Sequence, residues 1–441
     1  MKLCAALITA VLFLSYCTAN AQSLVPDTVK LGSLQEVITL SVKNNPTQAV
    51  YQQQVKQAVY NYKASKGFMY PNVNGSFNGQ DNLHLAVTPI PGILINQPGT
   101  TYYAQFGKKF TYNTGLTVSE NIFDWSSILQ SAVAKNNIML VQLQQTAYIQ
   151  SLKDQVAKLY FSVLIGKASI KVNNQDLALA DSLVKLSKQR LQEGTTDALA
   201  ANQAMINYNN VVQNRAQSQQ LYDQGIENLK ILLGEKALTE LNLTEEISLD
   251  VIPETGNLRM NADKSVEVYR QQLTLSTLQS KQQRSVAYPK LSFTGYFGTQ
   301  QFRNDFGLSF NNDAWTGYRY VGLSLNMPLF TGFTNINKYR SSLAQQQIAT
   351  LQYHTAQEQS AVNDRLLLKN YADYTTMARA SANSYTLYRT NVSLNREKYQ
   401  EGIINMDVYL KSFEDYLRAE NAHLNNLSQL LSTQSTILSR D

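Results

Sequence analysis

Residues 333–402 read FTNINKYRSSLAQQQIATLQYHTAQEQSAVNDRLLLKNYADYTTMARASANSYTLYRTNVSLNREKYQEG, a run without Gly or Pro until Gly402. Neither residue that breaks helices interrupts it, so it predicts one helix of about 100 Å at about 1.5 Å per residue. Soluble globular helices are usually about 10 to 14 residues long, so a rod of this size serves a different architecture. Residues 123–193 repeat the pattern with only Gly166 inside, and they stop on the same triplet, Gln192-Glu193-Gly194.

Other local patterns recur at the same distance. Tyr51-Gln52-Gln53 is echoed by Tyr269-Arg270-Gln271, and Tyr70-Pro71 by Tyr288-Pro289, both 218 positions on; the Gln-Glu-Gly stops lie 208 apart. A nearly constant offset across unrelated patterns identifies a two-fold internal repeat. The lost positions fall between Pro71 and Gly115, where Pro89, Pro91, Gly92, Pro98 and Gly99 mark a longer loop in the first copy. The expected organisation is a first repeat at 22–234, a connecting segment at 235–262 and a second repeat at 263–441. The first repeat comprises a leading helix at 33–68 broken near Asn45-Pro46, strands at about 70–80 and 110–122, and a helical hairpin at 123–233 with its tip near 191–197. The second comprises a helix at 263–287, strands at about 289–299 and 317–330, and a hairpin at 333–439 with its tip near 399–407.

In each strand apolar and polar residues alternate. Val73 and Phe77 alternate with Asn72, Asn74 and Asn78; Leu323 and Leu325 alternate with Ser324. Period two with one apolar face means a sheet between unlike environments. Aromatic residues such as Tyr70, Phe123, Trp125, Tyr288, Trp315 and Phe330 crowd the strand ends. They fit the girdles of a transmembrane barrel or the lid of a small sandwich core; the long rods favour the barrel. Four strands cannot close alone, since about eight is the observed minimum, and lipid does not tolerate open sheet edges. The chain is therefore expected to assemble.

Composition narrows the function. Charged residues make up 16% of the 441 residues, below the usual quarter, and neutral polar residues fill the gap. The net charge of +6 is spread without basic runs, so no nucleic-acid partner is expected. Residues 1–21 read as a signal peptide, with Lys2, an apolar stretch, and Ala19-Asn20-Ala21 before the cleavage point. Both cysteines, Cys4 and Cys17, fall inside it, so the mature chain is expected to hold no disulfide and no thiolate metal site. No later apolar run reaches the roughly 18 residues of a spanning helix.

After each Gln-Glu-Gly the chain returns as helix. Gly194 and Gly402 are the expected helix-ending residues, and Asp197 and Asn405 offer N-caps for the return. Leu179, Leu183, Leu186 and Arg190 form a narrow stripe on one rod, answered at offset 208 by Leu387, Asn391, Leu394 and Lys398.

Asn44-Asn45-Pro46 in the leading helix, the Tyr-Pro strand starts, Asn121-Ile122-Phe123, Pro328-Leu329-Phe330-Thr331-Gly332 and the glycine-ended tips together resemble the TolC family of outer-membrane efflux proteins. The resemblance covers the chain from about Leu31 to Leu438 and rests on the order of the motifs and the duplication. It implies a mainly α fold with a β-barrel contribution. Each protomer supplies four strands of a trimeric twelve-stranded outer-membrane barrel and long helical hairpins of a periplasmic tunnel. It also implies a function, an outer-membrane channel of a tripartite efflux or type I secretion system. The implied partners are a periplasmic adaptor (a membrane fusion protein), an inner-membrane pump of RND or ABC type, and outer-membrane lipid.

The best-known members of the family carry two acidic residues in the second tip; here the run that resembles it, Asp407-Val408-Tyr409-Leu410, keeps only the first. The resemblance makes Asp407, with Asp197 beside the other tip, the candidate periplasmic gate; capping or solvating the returning helix would also explain Asp407. Gly194, Thr195, Thr196, Gly402, Ile403, Ile404 and Asn405 are the candidate adaptor-contacting tips. No catalytic residue, metal ligand set or cofactor is expected. His84, His354 and His423 lack ligand spacing, and no phosphate-cradling loop or nucleophile elbow occurs. The alternative from a different class is an exported coiled-coil structural or adhesive protein with a small β head.

Overall fold

The computed structural model describes residues 28–236, 239–249, 252 and 260–440. The expected signal peptide, with Cys4 and Cys17, lies outside the described residues, as do Pro253 and Gly256 of the expected connection. In chain order the elements are β1 (Thr28–Leu31), α1 (Leu34–Asn44), α2 (Pro46–Ser65), β2 (Asn72–Asp81), β3 (Val87–Pro91), β4 (Thr101–Gln105), β5 (Phe110–Phe123), α3 (Trp125–Gln192), α4 (Ala198–Leu233), β6 (Glu240–Leu243), α5 (Lys264–Ser285), β7 (Lys290–Arg303), β8 (Thr316–Asn326), α6 (Thr334–Gln400) and α7 (Met406–Leu438). None of the helices is long and apolar enough to cross a membrane among the described residues. The chain divides into two compact units.

One unit takes its residues from Met1–Ala49, Tyr148–Ala262 and Asn363–Asp441. Ser33 starts α1 by accepting a hydrogen bond from Glu36 N at 3.3 Å, and the Glu36 carboxylate reaches back to Gly32 N at 2.8 Å. The helix stops at Asn45, whose ψ of 125° is the extended conformation imposed on a residue before proline. The Asn45 side chain then fastens the break. Its Oδ1 accepts from Thr47 N, Gln48 N and Tyr148 Oη at 3.0, 3.2 and 2.8 Å, and its Nδ2 donates to Leu232 O at 3.0 Å. Gly234 ends α4 at φ +67° beneath this knot; a Cβ there would stand 2.4 Å from Asn44 O, so only glycine fits.

Strands β1 and β6 pair in parallel, Thr28 with Glu240 through Leu31 with Leu243. Alternation in β6 buries Leu241 and Leu243 against Val156, Tyr160 and Leu164 of α3. The Tyr160 hydroxyl donates to Glu245, and Lys167 Nζ to Leu243 O at 3.0 Å. The connecting segment thus contributes a strand that no local periodicity announced.

The second core of this unit is a seam along α7. Met406, Leu410, Phe413, Leu417, Leu424, Leu427 and Leu431 are buried at alternating spacings of four and three, with Glu420 in the place between Leu417 and Leu424; Tyr409 and Tyr416 flank this stripe, and Ala200, Ala204 and Val211 of α4 belong to the same cluster. Two polar residues interrupt it. Glu420 and Asp176 of α3 are 3% and 4% exposed, and Tyr416 Oη donates to Asp176 Oδ1 at 3.0 Å. The remaining oxygens, Asp176 Oδ2 and Glu420 Oε2, have no donor from a third residue, a need that one proton shared between the two carboxyls meets. Burial, and then the neighbouring Asp176 charge, push the Glu420 carboxyl up to about 9. His423, one turn on, is satisfied by Leu249 O at 2.8 Å and Ser381 Oγ at 3.1 Å, with the Tyr385 ring stacked on it. The stripe expected on both rods is asymmetric: Leu183 is buried, whereas Leu387 and Leu394 on α6 are 65% and 49% exposed. Inside this chain α6 buries Tyr385 and Val392 instead.

The other unit, Val50–Ala147 and Asp263–Val362, holds a four-stranded antiparallel sheet in the order β2-β5-β7-β8. Its register places Val73, Phe77, Leu116, Val118, Phe293, Phe297, Val321, Leu323 and Leu325 on one face. Asn72, Asn74, Asn78, Thr117, Ser119, Ser292, Thr294 and Ser324 share the opposite face. The edges of β2 and β8 are unpaired. Strand β8 ends at Asn326, short of the expected 330, because Pro328 has no N–H for the ladder. The turn-rich insertion of the first copy is itself a hairpin, β3 with β4. Helix α5 is tied to α3 and α6 by polar side chains: Gln271 to Asn136 O at 3.1 Å, Gln282 to Ser126 Oγ at 3.2 Å and Ser280 to Gln346 at 3.0 Å.

Candidate functional site

The two Gln-Glu-Gly triplets produce the same turn. Gly194 has φ +67° and Gly402 φ +74°, a left-handed conformation that costs an L residue about 1 kcal/mol or more. Behind each glycine the backbone closes the helix with a pair of bonds. Gly194 N donates to Leu191 O at 3.2 Å and Thr195 N to Arg190 O at 3.0 Å; Gly402 N donates to Tyr399 O at 3.1 Å and Ile403 N to Lys398 O at 2.9 Å. These are Schellman caps, which satisfy the last carbonyls of α3 and α6 and turn the chain back within a few residues.

The returns differ. Asp197 caps α4, accepting from Ala200 N at 2.9 Å. Asn405 occupies the equivalent position of α7 with an extended backbone, but its side chain makes no cap hydrogen bond, so the expected N-cap is absent there. Tyr399 and Tyr409, stacked 5.7 Å apart, clasp the second tip instead. The first hairpin has Leu191 and Ala201 at the matching positions. That clasp escaped the sequence reading, although an aromatic residue on each side of the triplet was its visible signal. Deeper, Asn207 Nδ2 donates to Leu410 O at 3.3 Å and holds α4 against α7.

Both tips open onto one cleft of about 820 Å³. Thr195, Thr196, Asp197, Gly402, Ile403, Ile404, Asn405 and Asp407 line it together; Gly194 sets the turn behind them without lining it. Asp407 is exposed in the first turn of α7, where the helix dipole favours a carboxylate by about 0.3 to 1 kcal/mol. Arg190, which the sequence reading did not include in the gate, also lines the cleft and pairs with Glu193 at 3.5 Å. The cleft therefore carries two carboxylates and one guanidinium. Ile403, 64% exposed, and Val408, 46% exposed, add apolar surface at its rim. Among the described residues no group of three or more His, Cys, Asp or Glu side chains could hold a metal ion.

The chain resembles several known channels. It is 20% identical over 318 residues to the outer membrane protein TolC of Vibrio cholerae, covering 70% of this chain and 69% of that protein. The CmeC outer membrane channel of Campylobacter jejuni has the same fold, with a TM-score of 0.76 at 16% identity over 92% of this chain and 85% of that one. The MtrE outer membrane channel of Neisseria gonorrhoeae, solved in an open state, gives a TM-score of 0.74 at 16% identity over 92% and 88% of the two chains. The sequence profile of the family described as outer membrane efflux protein matches residues 37–235 and 260–439, which take in both rods, both tips and all four strands of the sheet. This chain therefore belongs to the outer membrane efflux protein family, and it is an outer-membrane efflux channel of the TolC type with a helical periplasmic tunnel.

Proposed function

We propose that three copies of this chain form the outer-membrane duct of a tripartite system that an inner-membrane pump energises, with the paired tips as both periplasmic gate and adaptor contact. The observation that carries the reading is the pair of matching Schellman-capped tips lining one cleft, with exposed Ile403 and Val408 at its rim. A tip that must both seal and move gains from glycine hinges, and exposed apolar side chains give an adaptor hairpin something to bury. The free edges of β2 and β8 call for assembly, since one four-stranded sheet cannot close, and a homotrimer, the state the family likeness implies, gives twelve strands. The leucines that α6 leaves exposed, Leu351, Leu366, Leu387 and Leu394, then find partners on neighbouring copies.

Conduction is passive in this mechanism. Asp197 and Asp407 line the cleft with Arg190, whose guanidinium is already paired with Glu193, so each copy presents surplus negative charge there and a three-fold constriction gains a mild cation preference. The partners are an adaptor of the membrane-fusion type and a pump of the RND or ABC type. The test combines extraction with conductance. Detergent should be required to release the protein, which should then cross-link to a trimer and form pores in planar bilayers. Ile403→Cys, modified with a bulky thiol reagent, should reduce the current. Release by osmotic shock without detergent, or an unchanged current after modification, refutes the assignment.

A further inference from the structure

On the polar face of the sheet three tyrosines depart from the row of Asn, Ser and Thr. Tyr296 of β7 stands opposite Tyr320 of β8 in the register, and Tyr318 lies two residues before Tyr320. Their rings meet at 5.6 to 5.8 Å; Tyr296 and Tyr320 are nearly parallel at 19°, while Tyr318 is inclined to them at 52° and 56°. Tyr296 is locked in place. A Cβ on Gly115 would come within 2.7 Å of its ring, and one on Gly298 within 2.6 Å of its hydroxyl, so the ring lies flat across two glycines.

Covering bare backbone explains Tyr296. It does not explain the other two, since neither Tyr318 nor Tyr320 is among the nearest neighbours of any glycine among the described residues, and they remain 48% and 47% exposed. An interfacial girdle does not explain them either. Girdle aromatics face lipid at the two ends of the strands, whereas these share the polar face, and Tyr296 is the seventh residue of a fourteen-residue strand.

We propose that Tyr296, Tyr318 and Tyr320 form a lumenal stacking site for neutral planar aromatic solutes in transit. The proposal rests on the channel reading above, because barrel alternation turns the polar face towards the water-filled interior. Pairing along the free edge of β8 lies in the plane of the sheet and leaves this face open. The nearly parallel pair offers a π surface on which a flat ring stacks, and Tyr318 offers an edge inclined to it. The ligand is neutral because the only charged side chain of the polar row is Lys290 at the end of β7, and that ammonium is paired with Asp124 at 3.1 Å.

The test uses the full-length detergent-solubilised protein and a matched pair of probes, benzyl alcohol and cyclohexylmethanol. Saturation-transfer NMR should detect benzyl alcohol in preference to cyclohexylmethanol. The double variant Tyr318→Leu, Tyr320→Leu should weaken benzyl alcohol binding about three- to tenfold, the loss expected for an aromatic pair. Tyr318→Phe, Tyr320→Phe keeps both rings and should bind as the parent does. In planar bilayers benzyl alcohol should add reversible current noise to the parent and the Phe variant and not to the Leu variant. Equal signals from both probes, or from parent and Leu variant, overturn the site. Absence of any pore current refutes the channel reading, while the NMR comparison still decides whether the stacking site exists.

Discussion

Glu420→Gln should stabilise the protein at neutral pH, and by an amount that depends on pH. In the unfolded chain the Glu420 carboxyl releases its proton near its ordinary value of 4.5, whereas in the native seam it holds the proton until about 9. Between those values the native state binds more protons than the unfolded state, so stability falls as pH rises, at about 1.4 kcal/mol per pH unit. At pH 7 the cost is on the order of 3 kcal/mol, and no solvent discount applies to a side chain 3% exposed. Glutamine removes the titration while keeping the contact, because its Nε2–H can donate to Asp176 where the protonated carboxyl did. Thermal unfolding of the detergent-solubilised protein between pH 4.5 and 8.5, with hydrogen exchange read on the amides of α7, measures the effect. Parent and variant should match near pH 4.5, and the variant should gain steadily above it. A parent whose stability does not fall over this range, or a variant less stable than the parent at pH 8, would refute the shared proton.

Other outcomes follow from single side chains. Gly402→Ala should cost about 1 kcal/mol, backbone strain alone, because nothing stands within 4 Å of its Cβ position. Gly234→Ala should cost more, about 2 kcal/mol or above, since the new methyl meets Asn44 O at 2.4 Å; thermal unfolding should rank the two in that order. Tyr148→Phe removes one of three donors to Asn45 Oδ1 and should cost about 1 kcal/mol in the same assay. Asp407→Asn should lower cation preference in bilayer reversal-potential measurements and Arg190→Ala should raise it, because the two line one cleft with opposite charge.

Much of this architecture is local and was legible along the chain. A run without Gly or Pro predicted α6 and a run with only Gly166 inside predicted α3, the Gln-Glu-Gly triplets predicted turns that close as Schellman caps, and period-two alternation predicted a sheet with one apolar face. Each signal lies within a few residues of the structure it specifies, because helix propensity, capping and pleat are set by neighbours in sequence. The offset of 208 between the stops also showed that two tips exist, and the family resemblance made those tips the candidate gate and adaptor contact. What it could not show was that the copies have diverged. An aspartate cap holds one tip and a tyrosine clasp the other, and Leu179 packs half-buried against the core while Leu387 at the repeated position is exposed. Only the tertiary structure decided the parallel pairing of β1 with β6, the meeting of Asp176 with Glu420, and the opening of Arg190 and Asp407 onto one cleft. Those contacts join residues about 200 or more positions apart, and their energies come from burial and charge at the point of contact. No window along the chain contains both partners.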